Sequence, residues 1–359
     1  MQDGGGRSAL SSSRLRSCAL GCLAVVLVCI GLGIGLYFWA VTPGPQVPAD
    51  TFVGSQTAGV AYVSGLHEDP AFAAAVEKIL RTIQEFNFRR ARQADVPIIL
   101  RWLSAGRRDI GDRDVEKAIR DVPRDLAVLL ERVPDASEPR VVVIANLNRF
   151  PRVLHLTFSL TSLFRPSETF AGYRILQLGP PGTSRVSFVE DTLIWAQDGN
   201  ALRQVLERRS APEASYPSTL SETLQSRDPR WNLFGTLNNR GNLLAWILQN
   251  GPQSWRERLD TPELESALAA VDNLDFGFDV SSDGSLEGFL NARLDSEEEA
   301  AQLKQLIEVE VAETGAHAAL QLETGEDARE LRGTFRLTDL ADRIQKLMSQ
   351  ADRRRDSQH

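Results

Sequence analysis

The sequence predicts an α+β protein: an amino-terminal transmembrane helix followed by antiparallel sheets with helices packed on one face. Three observations lead there. Residues 18–41, CALGCLAVVLVCIGLGIGLYFWAV, are apolar and uncharged throughout. Beyond them, short runs alternate apolar and polar residues at period two, bounded by turn residues, as strands do. Between these lie segments with apolar residues at helical spacing and recognisable helix starts.

The apolar run comes first in the chain and fixes the setting of the rest. At 1.5 Å per residue its length is about 36 Å, enough to cross a hydrocarbon core of about 30 Å with some tilt. Arg7, Arg14 and Arg16 precede it, and residues 42–60 hold no Lys or Arg. The positive-inside rule then keeps the amino terminus in the cytoplasm and exports the remainder, to a periplasm or cell surface. Tyr37, Phe38 and Trp39 cluster at the exit end, where amphipathic rings favour the headgroup level. A cleaved signal peptide has a shorter apolar region and a small-residue cleavage site, so an uncleaved anchor fits better.

The elements follow in order. Residues 1–17 are rich in Gly, Ser and Arg and read as a disordered cytoplasmic tail, and 42–50, TPGPQVPAD, read as a Pro-rich linker holding the globular part off the membrane. TAGVAYVSG (57–65) is a strand. Residues 69–86 are a helix, with Asp69 as N-cap and Pro70 at its first position. Residues 89–122 are polar, Arg-rich and helical with breaks. DLAVLLERV (125–133) and PRVVVIANL (139–147) are β-rich. RVLHLTFSL (152–160) alternates at period two and pairs with its predecessor across 148–151 as a hairpin. YRILQL, SRVSFVE and TLIWAQ, within 173–197, extend the sheet, and 199–209 form a helix. Residues 218–226 are a short helix with Ser218 opening a capping box, 231–239 a strand, and 241–249 and 261–271 helices. LDFGFDVSSDGSLEGFLNARL (274–294) is a hairpin about an Asp-Gly turn. A helix from 296 to 313 starts at Ser296 with Glu297, Glu298 and Glu299 in its first turn, where negative charge suits the macrodipole. AALQLE and ELRGTFRL form another hairpin, 339–350 a last helix, and 351–359 a charged tail.

Leu286 to Leu294 followed by a helix resembles Leu331 to Leu337 followed by a helix, and the strands at 185–197 with their helix follow the same plan. Two related lobes, 51–212 and 213–350, are one reading of this weak repeat; unrelated units of similar pattern are the other. The succession TLIWAQDGNALRQVLE, STLSETL, RWNLFGTLN resembles a family of uncharacterised bacterial proteins with one amino-terminal anchor and a duplicated α+β exported domain. The resemblance covers roughly residues 45–350. It implies that fold and duplication, and it supplies no catalytic residues.

Composition narrows function mainly by exclusion. The formal charge of −8 argues against nucleic acid as a partner. The three cysteines, Cys18, Cys22 and Cys29, all belong to the apolar run, so the exported part has no disulfide and no thiol nucleophile. That part also lacks an N-x-[ST] sequon. With its Arg- and Ala-rich, Lys-poor composition this points to a bacterial envelope. His67, His155, His317 and His359 are far apart in sequence and in no metal-ligand spacing, so neither metal nor cofactor is expected. No G-x-S-x-G elbow or S-x-x-K motif is present. Asp279 to Ser285 faintly resembles a calcium loop, but Leu290 stands where a bidentate Glu is needed, and a hairpin turn accounts for it.

Two features suggest interactions. Gly31 and Gly35 share a helix face within the apolar run and would let two anchors pack closely as a dimer. Arg89, Arg90, Arg92, Arg101, Arg107 and Arg108, with Trp102 among them, form a candidate docking surface for membrane or partner; arginines paired with neighbouring aspartates on a solvated helix are the plainer account. The functional expectation is a membrane-anchored, non-catalytic binding or scaffold protein with an envelope protein as partner. A carrier of a lipid or other apolar ligand, and an enzyme with a carboxylate-based site, are the alternatives.

Overall fold

The computed structural model describes Gly35, Thr42, and residues 44–64, 123–133, 138–147, 151–161, 167–177, 184–210, 219–226, 228, 230–249, 262–280, 285–313 and 319–338. The expected anchor (apart from Gly35), the helices expected at 69–86 and 339–350 and the Arg-rich stretch lie outside the described residues.

The fold is mixed α+β, built on one large antiparallel sheet. Its strands are β1 (Thr57–Val63), β2 (Pro123–Glu131), β3 (Arg140–Leu147), β4 (Ser167–Phe170), β5 (Tyr173–Gln177), β6 (Arg185–Val189), β7 (Thr192–Ala196), β8 (Leu233–Asn238), β9 (Val271–Val280), β10 (Leu286–Leu294), β11 (Ala319–Thr324) and β12 (Glu330–Leu337). They lie in the order β11-β12-β10-β9-β8-β1-β2-β3-β7-β6-β5-β4. The helices are α1 (Pro151–Thr161), α2 (Gly199–Ser210), α3 (Thr219–Gln225), α4 (Leu243–Gln249), α5 (Pro262–Ala269) and α6 (Glu297–Glu313), with a 3₁₀ turn at Ala49–Phe52.

The helices pack on both faces, which corrects the one-face expectation. Registers put Val60, Ala127, Leu129, Val142, Ile144 and Ile194 on one face. There they meet Ala201, Leu202, Val205 and Leu206 of α2, Leu220 and Leu224 of α3, and Phe52. The other face carries Ala292 and Leu331 beneath Ala267 of α5 and Ala300 and Leu303 of α6. Leu237 sits there with Leu243 of α4. The physical reason is in the strands. RVVVIANL and DLAVLL are apolar at successive positions, so both faces must be covered. Each fully buried Leu or Ile of this core contributes about 1.5–3 kcal/mol.

Residues 152–160 are helix, not the expected strand. Pro151 opens α1 at a position where a missing N–H costs nothing, and Phe158 packs on Leu176, Val186 and Phe188 of the sheet. β3 spends its two edges on β2 and β7, so no edge is open to a further hairpin partner. β4 was not anticipated. Its sequence, SETF, is too short and polar to show a period.

The stretch expected as a spacer is packed onto the sheet from Gly44 onward. Val47, Ala49 and Phe52 are buried. Gln46 Nε2 donates to Leu147 O at 2.7 Å, Val47 N to Thr192 Oγ1 at 2.8 Å, and Asp191 N to Pro45 O at 3.0 Å. At its far end a buried ion pair ties four elements. Arg208 of α2 donates to both carboxylate oxygens of Glu131, at 3.0 and 2.7 Å, and also to Phe52 O and Thr57 Oγ1. Thr57 donates in turn to Glu131 at 2.7 Å. Both carboxylate oxygens are thus hydrogen-bonded, which such a pair needs to offset its desolvation.

Candidate binding groove

On the face that α2 covers in the first half, the second half of the sheet carries polar and aromatic residues. Phe289, Thr334 and Gln321 lie directly opposite one another on β10, β12 and β11. Glu287 and Arg336 form the next row, 3.4 Å apart as an ion pair. Together with Trp231, Arg230 and Asp228, at the approach to β8, they line a groove of about 660 Å³.

The aromatic floor has a specific local cause. Gly277 lies opposite Phe289, and the phenyl ring folds over the glycine. A Cβ there would collide with that ring and come within 3.0 Å of Trp231 Cγ. The vacant side chain thus lets Trp231 and Phe289 meet, with ring centroids 5.1 Å apart. Arg230 covers the Trp231 ring at 5.0 Å and pairs with Asp228 at 2.6 Å. Apolar area is therefore flanked by two arginine–carboxylate pairs, with the Gln321 amide and Thr334 hydroxyl beside it. Such a surface offers an anchor pocket for an apolar side chain and exchangeable charge partners at its rim.

Beyond this floor the same face continues as a polar row, Thr236, Asp275, Asn291, Arg332 and Glu323, each opposite the next. Burial pushes the Asp275 carboxyl above its ordinary range, and the Thr236 hydrogen bond offsets part of that. Asn291 Oδ1 is buried without a hydrogen-bond partner among the described residues.

The residues singled out from sequence do not converge here. Arg89, Arg90, Arg92, Arg101, Trp102, Arg107, Arg108 and Gly31 lie outside the described residues, as do His67, His317 and His359. Gly35 has open space where a side chain would stand. His155 stacks flat on Phe188 at 5.0 Å and lies 3.6 Å from Asp191. Among the described residues no three His, Cys, Asp or Glu side chains gather as a metal set, and no helix is long and apolar enough to cross a membrane. The groove itself was missed. Its one available signal was the alternation of glycine and aromatic residues in WNLFG, FGF and EGF, which requires a register before it means anything. Compared with protein-family models, curated proteins and solved structures, the chain matches none.

Proposed function

We propose that the chain is a single-pass membrane protein of the bacterial envelope, its amino terminus cytoplasmic, whose exported α+β part is a non-catalytic binding or scaffold protein. The apolar run 18–41 and its flanking arginines support the anchor and orientation. The observation that carries the binding role is the groove, where Trp231 and Phe289 lie between the pairs Arg230–Asp228 and Arg336–Glu287. This mixture suits a protein partner better than an apolar ligand, since four of its ten lining residues are charged. The Arg-rich stretch at 89–108 is a second docking surface in this reading, and Gly31 and Gly35 would pair two anchors.

The two-lobe reading has topological support. β1, β2, β3, α1, β6 and β7 follow one another as β8, β9, β10, α6, β11 and β12 do, with β1 and β8 antiparallel at the centre. Each half also has a long connection between its first two strands. The β4–β5 hairpin is the first half's addition.

The test is a photo-crosslinking residue at the exposed Gln321, used in full-length protein in its native cells. One recurrent envelope protein is expected, with the adduct lost on Trp231→Ala. Lipid in place of protein would favour the carrier. No adduct at all would remove the groove as a binding site and return attention to an enzyme.

A further inference from the structure

We propose that α1 is a membrane-docking helix, lying on the lipid surface beside the point where the anchor emerges. The inference rests on the anchor proposed above. It begins from distance. The apolar run ends at residue 41, and Gly44 is already on the folded domain: a Cβ at Gly44 would collide with the Asp191 carboxylate and come within 3.1 Å of Arg152 Nε, in the first turn of α1. Three peptide steps from 41 to 44 reach at most about 11 Å. With residues 45–53 pinned to the sheet, little slack remains to lift the domain away, so the start of α1 is held close to the membrane surface.

The helix is built for that place. At 100° per residue, Leu156 and Leu160 each sit about 160° from Phe158, the side chain that packs on the sheet, and Val153 about 140° from it. The outward face thus carries exposed leucines: Leu156 is 50% exposed and Leu160 53%, while Leu154, at 43%, lies about 40° from Phe158 at the edge of the sheet-facing side. These are three of the four large apolar side chains exposed among the described residues; the fourth is Val309 on α6. A helix apolar on both sides has one side without a partner among the described residues. Proximity to the anchor makes lipid the occupant. The cations of α1 are already partnered, Arg152 and His155 lying 3.7 and 3.6 Å from Asp191, so the contact is made by the leucines and not by charge. Leucines facing outward beside the point where the anchor emerges suit a lipid interface.

Depth measurement on the full chain tests this. Single cysteines at Leu156, Leu160 and, as control, Val309 are placed in a C18A/C22A/C29A background. Each is labelled with an environment-sensitive fluorophore, and the protein is reconstituted in phosphatidylcholine vesicles containing phosphatidylglycerol and brominated acyl chains. Labels at 156 and 160 are expected to be quenched about twofold or more, and the label at 309 to be unaffected. Resistance to carbonate extraction is scored on the same vesicles. A chain that resists extraction while 156 and 160 behave like 309 overturns the docking of α1 and leaves the anchor standing. A chain that carbonate releases overturns the anchor and this inference with it.

Discussion

Replacing Arg208 by Ala removes the cation that, among the described residues, neutralises a carboxylate sealed in the core. The Glu131 side chain has no exposure to solvent and Arg208 has 10%. The guanidinium's bonds to Glu131, Thr57 and the Phe52 carbonyl would all go. Breaking a buried pair from one side costs about 3–5 kcal/mol, because the remaining charge keeps its desolvation penalty without its partner. For a sheet of this size that is a fall in Tm of roughly 10 °C. Exchanging both partners for apolar residues of similar volume, Glu131→Met with Arg208→Met, should recover most of the loss. A residue of about 1 kcal/mol remains for the Thr57 hydroxyl, which loses its acceptor. Thermal and urea unfolding of the detergent-solubilised full chain, followed by near-ultraviolet circular dichroism, gives all three values. A single substitution costing under about 1 kcal/mol would refute the argument, because a surface pair is worth that little. So would a double variant as unstable as the single one, since the stranded charge is what the cost is assigned to.

Two further outcomes follow from the groove. Gly277→Val forces Phe289 off the strand and separates it from Trp231. A loss of about 1–3 kcal/mol is expected from overpacking, together with loss of the Gln321 adduct, read by the same unfolding and crosslinking experiments. Asp275→Asn should raise the Tm at neutral pH. A carboxyl whose folded pKa is raised is most stabilising when protonated, and its contribution declines as pH rises from the ordinary value of 3.8 through the folded pKa. The advantage of the amide should therefore shrink as pH is lowered toward 3.8; a gain that does not change with pH would assign the effect to something other than this ionisation.

Much of the fold was legible because its signals are local. The hairpin at 274–294 was readable from alternation about Asp-Gly, and β9 and β10 pair through it in register. The start of α6 was readable from Ser296 and the acids after it. Glu299 N donates to Ser296 Oγ, the N-cap bond, and Ser296 Oγ donates on to the Glu299 carboxylate. RVLHLTFSL misled because its four alternating apolar residues, Leu154, Leu156, Phe158 and Leu160, also fall partly at helical spacing. Neither period distinguishes a strand from a short helix flanked by Pro. What decided it was the neighbouring edge of β3, which β7 occupies after an excursion of some 45 residues.

Local chemistry in the chain determined the apolar run, the absence of cysteine from all that follows, and the kind and order of most elements, because periodicity, caps and turns act over a few residues. The tertiary structure alone decided that the presumed spacer is core, that Glu131 meets Arg208 across 77 residues, and that Gly277 admits Phe289 against Trp231. These depend on strand register and sheet order, which arise from the packing of both sheet faces at once and are written in no single segment.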